Sequence, residues 1–270
     1  MFYYNILLLF ILGLLVGSFL SVVISRLDTK EGFLKGRSRC PKCKAKILAK
    51  DLVPIFSYLI LKGKCRKCGE NISLFYPIIE ITTGFLFALT YIRFYDVLGG
   101  PNLYLFLLLH FFIISVLLVI FAFDSVNYLI PDKIVIPSII VVFIFSCMNI
   151  LLNPTLGSDF LLYRPFLVNL IWGVIIGGGF FASLVLISSE KWMGWGDVKL
   201  GVFLGIALGY PLILVTIFSS FIIGTLYSLA LIVLKMKTRK DIIPFGPFLV
   251  LGAFVAIFLG KYILNWYLGI

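Results

Sequence analysis

The sequence predicts an all-α membrane protein: a polytopic helical bundle of about eight spans with one small cytoplasmic four-cysteine loop of zinc-knuckle type. Three observations predict it. Of the 270 residues, 61% are hydrophobic and only 13% charged, with a mean hydropathy of +1.13; a soluble domain of that make-up would have little to offer water. Apolar runs near or above the ~18 residues that cross ~30 Å of hydrocarbon recur along the chain, whereas the alternating strands of ~10 residues that build a membrane barrel do not. Positive charge, finally, is distributed very unevenly among the segments that join those runs.

Taken in order, the first run is 3–24. Residues 1–5 carry no Lys or Arg, no small-residue cleavage site follows, and the basic residues begin only at Arg26. This reads as a retained span with its N-terminus outside, not as a signal peptide. Residues 25–74 form one polar loop with 13 Lys and Arg against four acids. The further spans are 75–92, 103–123, 133–152, 166–188, 198–209, 211–234 and 247–268. The chain thus divides into a first span (1–24), a basic cysteine loop (25–74) and a membrane bundle (75–270). With the N-terminus outside, the cytoplasmic segments are 25–74, 124–132, 189–197 and 235–246. Counting Lys133 and Lys199 with the cytoplasmic helix ends, all 23 Lys and Arg except Arg93, Arg164 and Lys261 fall on that side. The net charge of +11 is therefore a topology signal, with the bilayer as partner and no nucleic acid implied.

The segment 198–209 is too short to cross, its 12 residues reaching only ~18 Å, and Gly209-Tyr210-Pro211 interrupts it. A broken helix is expected, with irregular backbone buried among other helices. One long span over 198–234 would give seven spans and place the Lys235–Lys240 cluster outside, against the charge bias. Gly177-Gly178-Gly179 inside the fifth span is read as close helix packing, ahead of a hinge or substrate groove. Cys147, alone in the fourth span, is read as packing, and His110 as a hydrogen-bonded interhelical residue.

Cys40-Pro-Lys-Cys43 and Cys65-Arg-Lys-Cys68 are two Cys-x2-Cys knuckles with 21 residues between them. Four thiolates at this spacing can close a tetrahedral zinc site, and flanking Lys and Arg favour the thiolate. A reducing cytoplasm argues against disulfides. Structural zinc is preferred over metal-free thiol pairs, because a polar loop of this length otherwise lacks a core.

Asp124 ends the third span and Asp197 precedes the sixth, so by parity both face one compartment, the cytoplasm. A carboxylate at a membrane boundary is costly and asks for a reason. If the two approach each other they cannot both ionise cheaply, so one takes a proton from water while the other donates to a peptide carbonyl. Gly194 and Gly196 would let a substrate backbone come close to Asp197. The residues alone leave ion coordination and proton translocation open as rival uses. Asp132, after Pro131 at the start of a helix, reads first as an N-terminal cap. Glu80, an acid at the cytoplasmic start of the second span, either attracts a basic substrate or pairs with the basic loop.

These motifs together resemble the type IV prepilin peptidases, membrane aspartic proteases of the Gly-x-Gly-Asp type. The resemblance runs nearly full length. It includes Gly17-Ser18-Phe19-Leu20, the knuckle loop from Ser38 to Cys68, Ile72-Ser73 and Tyr76-Pro77-Ile78-Ile79-Glu80. It continues through Asp124 to Asp132, Gly177 to Gly179, Met193-Gly194-Trp195-Gly196-Asp197-Val198-Lys199-Leu200 and Pro244-Phe245-Gly246-Pro247. The family's pattern is departed from at Ser21, Asp28 and 47–51, outside the aspartate motifs. The resemblance implies cleavage of the basic leader of type IV prepilins or pseudopilins, after a Gly, at the cytoplasmic face of the bacterial inner membrane. Asp124 and Asp197 would be the catalytic pair, with Gly194, Gly196, Lys199 and Asp132 as supporting motif. It further implies methylation of the new N-terminal residue with S-adenosylmethionine, for which Glu80 and Gly84 are the candidate residues for substrate binding or methyl transfer. No glycine-rich nucleotide fingerprint occurs in the loop. The rivals are a transporter or channel built on the broken helix, a zinc-loop scaffold without activity, and an intramembrane aspartic protease with other substrates.

Overall fold

The protein is described by a computed structural model covering residues 2–28, 38–40, 42–95, 101–152, 166–238 and 241–269. Lys30, Lys35, Arg37, Arg164, Arg239 and Lys240, which entered the charge argument, lie outside the described residues. Among the described residues there is no strand, only two isolated bridges, Arg39 to Lys46 and Lys64 to Asn71. The chain forms two compact units, residues 1–119 and 120–270.

The first unit contains α1 (Phe2–Arg26), a 3-10 turn (Ala49–Leu52), the short α2 (Phe56–Ile60), α3 (Phe75–Tyr95) and the beginning of α4 (Pro101–Asn127). α1 packs on α3 through small residues. A methyl group at Gly13 would fall 2.6 Å from the Gly84 Cα, and one at Gly17 2.7 Å from the Glu80 Cα. Backbones this close exchange dispersion contacts that lipid tails cannot supply, which drives association where the hydrophobic effect is absent. Thr83 and Thr90, fully buried, return their hydroxyls to the Ile79 and Leu86 carbonyls. His110 is buried on α4, with Nδ1 2.9 Å from the Phe106 carbonyl and its ring against Phe94 and Phe106.

The second unit contains the end of α4, α5 (Asp132–Leu152), α6 (Phe166–Ser188), α7 (Trp195–Leu208), α8 (Leu212–Val233) and α9 (Gly246–Leu268). α6 and α7 meet along two small-residue ridges. Gly173 faces Gly205 and Gly177 faces Gly201, each so close that a Cβ on one would overlap the carbonyl oxygen of the other. α8 packs on α9 around Leu212, Val215 and Ala256, with Gly252 against Ser220 and Thr216.

All eight expected spans are helical. Among the described residues, six helices are long and apolar enough to cross a membrane: α1, α3, α4, α6, α8 and α9. α7, with 14 residues, rises only about 21 Å. The break expected after it is present. Gly209 turns the chain at φ 67°, the Tyr210 amide donates to the Asn169 carbonyl of α6 at 3.0 Å, and α8 starts at Leu212. A helix that stops inside a bundle leaves backbone groups to satisfy, and the Asn169 carbonyl takes one of them.

Candidate active site

Asp124 and Asp197 belong to the same unit and come together from two helices. Asp124 lies in the last turn of α4 and is 3% exposed. α4 stops three residues later, where Tyr128 leaves helical backbone at φ 58° while its amide still donates to the Asp124 carbonyl at 2.9 Å. Asp197 lies in the first turn of α7, where Gly194 is the N-cap residue. Its carboxylate accepts the Gly194 backbone N–H. This is the N3 half of a capping box, and the positive end of the helix dipole favours a carboxylate there. Capping alone would not bring Asp197 to Asp124. The two carboxylates are nevertheless close enough for the charge of Asp124 to act on Asp197.

A third strand of chain closes the site. The Gly246 backbone N–H, at the start of α9, donates to the Asp124 carboxylate. Any Cβ at residue 246 would run into Asp124 Oδ2. Ile130, in the α4–α5 connection, lies between the two glycine motifs: a methyl group on Gly196 would be 3.1 Å from its Cβ, and one on Gly246 3.4 Å from its Cδ1. Lys237, from the segment before α9, donates to the Ile242 carbonyl at 3.0 Å and sits 5.9 Å above the Tyr128 ring. Gly246 and Ile130 were given no role from sequence. The available signal was the position of both inside the quoted motifs, with Gly246 between Phe245 and Pro247 at a helix start.

Asp132 and Lys199 form a two-pronged pair, with Lys199 Nζ 2.8 Å from each carboxylate oxygen. Asp132 is the first residue of α5, and the amides of Ile134 and Val135 are taken by the Pro131 carbonyl. The capping reading of Asp132 therefore gives way to an ion pair, because its carboxylate is spent on Lys199. The pair joins the start of α5 to the start of α7, two residues beyond Asp197. Both side chains are more than a third exposed, so its worth in stability is only about 0–1 kcal/mol.

The four cysteines form a second constellation, in the first unit. Their sulfurs all lie within 4.8 Å of one another, and Cys40 Sγ to Cys68 Sγ is 3.8 Å. Four sulfurs around zinc at ~2.3 Å have tetrahedral edges of ~3.8 Å, so the residues fit that metal. The two knuckles repeat one another. The Cys40 amide donates to the Ala45 carbonyl at 3.0 Å and the Ile47 amide to the Ser38 carbonyl at 2.9 Å; the Cys65 amide donates to the Glu70 carbonyl at 2.8 Å and the Ile72 amide to the Gly63 carbonyl at 2.7 Å. Lys44 and Gly69 make the corresponding left-handed turn, at φ 57° and 71°. Lys42 of one knuckle pairs with Glu70 of the other.

Hydrogen bonds from the Cys68 and Lys67 backbone push the Cys65 thiol down to about 6, and those from Cys43 and Lys42 lower Cys40. The Glu70 amide works in the same direction on Cys68, but burial and the neighbouring sulfurs outweigh it and push Cys68 up to about 11. A divalent cation would remove that conflict among the sulfurs.

Glu80, also in the first unit, is buried and accepts the Ile55 backbone N–H at 2.8 Å. It holds the knuckle loop through backbone, and among the described residues no basic side chain pairs with it. Gly84 faces Gly13, Leu14 and Phe10 of α1, so its position in the structure is a helix contact.

The family model described as the bacterial peptidase A24 N-terminal domain matches residues 11–94, and that of the type IV leader peptidase family matches 111–229. The chain is 30% identical to a prepilin leader peptidase/N-methyltransferase of Bacillus subtilis (strain 168), covering 97% of each chain. It is 32% identical to the Neisseria gonorrhoeae protein of that name, over 91% of this chain and 87% of the other. The Aeromonas salmonicida (strain A449) protein of the same name is 28% identical, over 97% and 93%. No solved structure matches.

Proposed function

We propose a function from one premise: the chain belongs to the type IV leader peptidase family. It is a membrane enzyme that cleaves prepilin leaders and N-methylates the product. The observation that carries the site is the approach of Asp124 and Asp197 from two helices, with the Gly246 amide on Asp124. In our reading the pair holds one proton. The ionised carboxylate takes a proton from water, whose oxygen attacks the peptide carbonyl carbon. The protonated one gives its proton to the carbonyl oxygen, and the tetrahedral diol collapses as the leaving amine is protonated. The substrate is the Gly-ended basic leader of a type IV prepilin or pseudopilin. Its charge stays in the cytoplasm while its apolar helix enters the bilayer. The charge bias of the connecting segments supports an N-terminus outside, with the aspartates and the cysteine loop on the cytoplasmic side of the inner membrane. S-adenosylmethionine would supply the methyl group, from its sulfonium, to the new N-terminal amine. Glu80 and Gly84 remain our candidates near that step, Glu80 through its hold on the loop.

The test is a mass-spectrometric assay of the purified enzyme on a prepilin with a basic leader, a Gly-Phe junction and an apolar helix, with and without S-adenosylmethionine. Loss of the leader followed by one added methyl mass is expected. An intact substrate, from folded enzyme in lipid and with several prepilins, would return the transport reading to the front.

The Lys199–Asp132 pair is assigned to positioning. Lys199→Ala or Asp132→Asn is expected to lower kcat about tenfold with KM and melting temperature nearly unchanged, since a misplacement of ~1 Å costs far more in rate than an exposed ion pair contributes to stability. Exchanging the two residues should restore most of the rate; single variants with wild-type kcat would end this assignment.

Cys40, Cys43, Cys65 and Cys68 would hold a zinc ion that fixes the two knuckles to each other. Elemental analysis should find about one zinc per chain, and Cys65→Ser should remove it. Methylation is expected to suffer more than cleavage. An equal loss of both would reduce the loop to a folding aid.

A further inference from the structure

The stretch between the two knuckles is built inside out. Helix α2 turns its serine inward: Ser57 is buried and its hydroxyl donates to the Lys50 carbonyl at 2.9 Å. Its large apolar side chains point outward, with Phe56 64%, Leu59 65% and Ile60 74% exposed, and Leu52 and Val53 beside them at 43% and 47%. A water-exposed loop arranges such residues the other way round.

The insertion is nevertheless held firmly. Arg66 of the second knuckle grips the Asp51 carboxylate through Nε and Nη2, the latter at 2.6 Å. Ile55, a β-branched residue at φ 61°, occupies backbone space that such residues rarely visit, and its amide is fixed by Glu80 at 2.8 Å. Outward apolar residues on a rigid support form a surface that needs covering.

Three observations select the occupant. The first is depth. Glu80 is the sixth residue of α3, so its bond to Ile55 sets the start of α2 about 7.5 Å along the axis of a helix apolar enough to cross a membrane. The second is a further pair of exposed apolar residues at the start of the same helix α3, Leu74 and Ile78, at 63% and 56%. The third is charge. The loop 25–74 carries 13 Lys and Arg against four acids, which suits anionic lipid headgroups and repels a basic leader.

We propose that residues 48–60 dock onto the bilayer surface, with Phe56, Leu59 and Ile60 seated at the boundary between headgroups and acyl chains and the surrounding lysines on anionic headgroups. The four-cysteine module is thereby anchored at the membrane face. This anchoring does not depend on the peptidase reading, and its test is independent of cleavage.

The full-length protein is reconstituted in nanodiscs of phosphatidylcholine and phosphatidylglycerol, with p-benzoylphenylalanine replacing Phe56, Ile60 or, as control, the exposed Lys42. Circular dichroism confirms the fold of each variant. After irradiation, mass spectrometry is expected to find lipid adducts from positions 56 and 60 and none from 42. The yield should fall several-fold in phosphatidylcholine alone. Adducts from 56 and 60 to a second copy or to added prepilin, or no adducts at all, would overturn the proposal. An unchanged yield in phosphatidylcholine alone would overturn its electrostatic half.

Discussion

Replacing Asp124 or Asp197 by Asn is expected to reduce prepilin cleavage by on the order of 10³-fold or more, each change alone sufficing. The fold should survive. Asn has the same shape as Asp, and at 124 its side-chain oxygen can still accept the Gly246 amide, as at 197 it can accept the Gly194 amide. What Asn cannot do is exchange a proton with water or with a peptide oxygen. Groups that act as one unit are also strongly non-additive, so the double variant should be no slower than the slower single one. The same single variants are expected still to methylate a pilin supplied without its leader, because methyl transfer to an amine requires no activated water. Substantial cleavage by either purified single variant would remove that residue from the mechanism. A double variant whose losses multiply would mean that the two carboxylates act independently.

The position of the pair was legible because it rests on two strong regularities. The length of apolar runs sets where spans end, and the charge of the connections sets which ends share a compartment. On these two rules both aspartates are expected on one side without any knowledge of packing. The ion pair of Asp132 was not legible, since Lys199 is 67 residues away and a residue after Pro at a helix start looks like a cap by every local rule. Gly246 and Ile130 were missed for a related reason. Their roles are backbone and shape, a donated N–H and a side chain laid across two glycines, and neither leaves a chemical signature in sequence. The knuckles show the opposite case: thiols at fixed spacing carry their chemistry locally, so the four-cysteine cluster was readable although the backbone repeat that builds it was not. Length was the weak signal at the short sixth segment. α7 is a helix held by glycine contacts and not by its hydrophobic length.

Those glycine contacts make a graded prediction for the triplet Gly177-Gly178-Gly179, which looks uniform in sequence. Substitution of each by Ala should have three different outcomes. At 177 the new Cβ would overlap the Gly201 backbone carbonyl, which cannot move without moving α7 as a whole. At 178 it would meet Val202 Cγ2, a side-chain methyl that gives more easily than backbone although a branched side chain turns little in a helix, and at 179 nothing lies within 4 Å. Overpacking against fixed backbone costs about 1–3 kcal/mol or more. Because Asp197 stands in the first turn of the displaced helix, a shift of ~1 Å would also cost ~10²-fold in rate. Gly177→Ala, and likewise Gly205→Ala against Gly173 on the same ridge, should therefore lower both melting temperature and cleavage. Gly178→Ala should be mild, and Gly179→Ala should match the parent in both. Thermal melting in detergent and the cleavage assay read the two effects separately. Equal sensitivity across the triplet would mean that the glycines serve a hinge or a substrate groove and not the α6–α7 contact. Loss at 177 and 205 with 179 silent would tie the placement of Asp197 to two ridges of small residues on neighbouring helices.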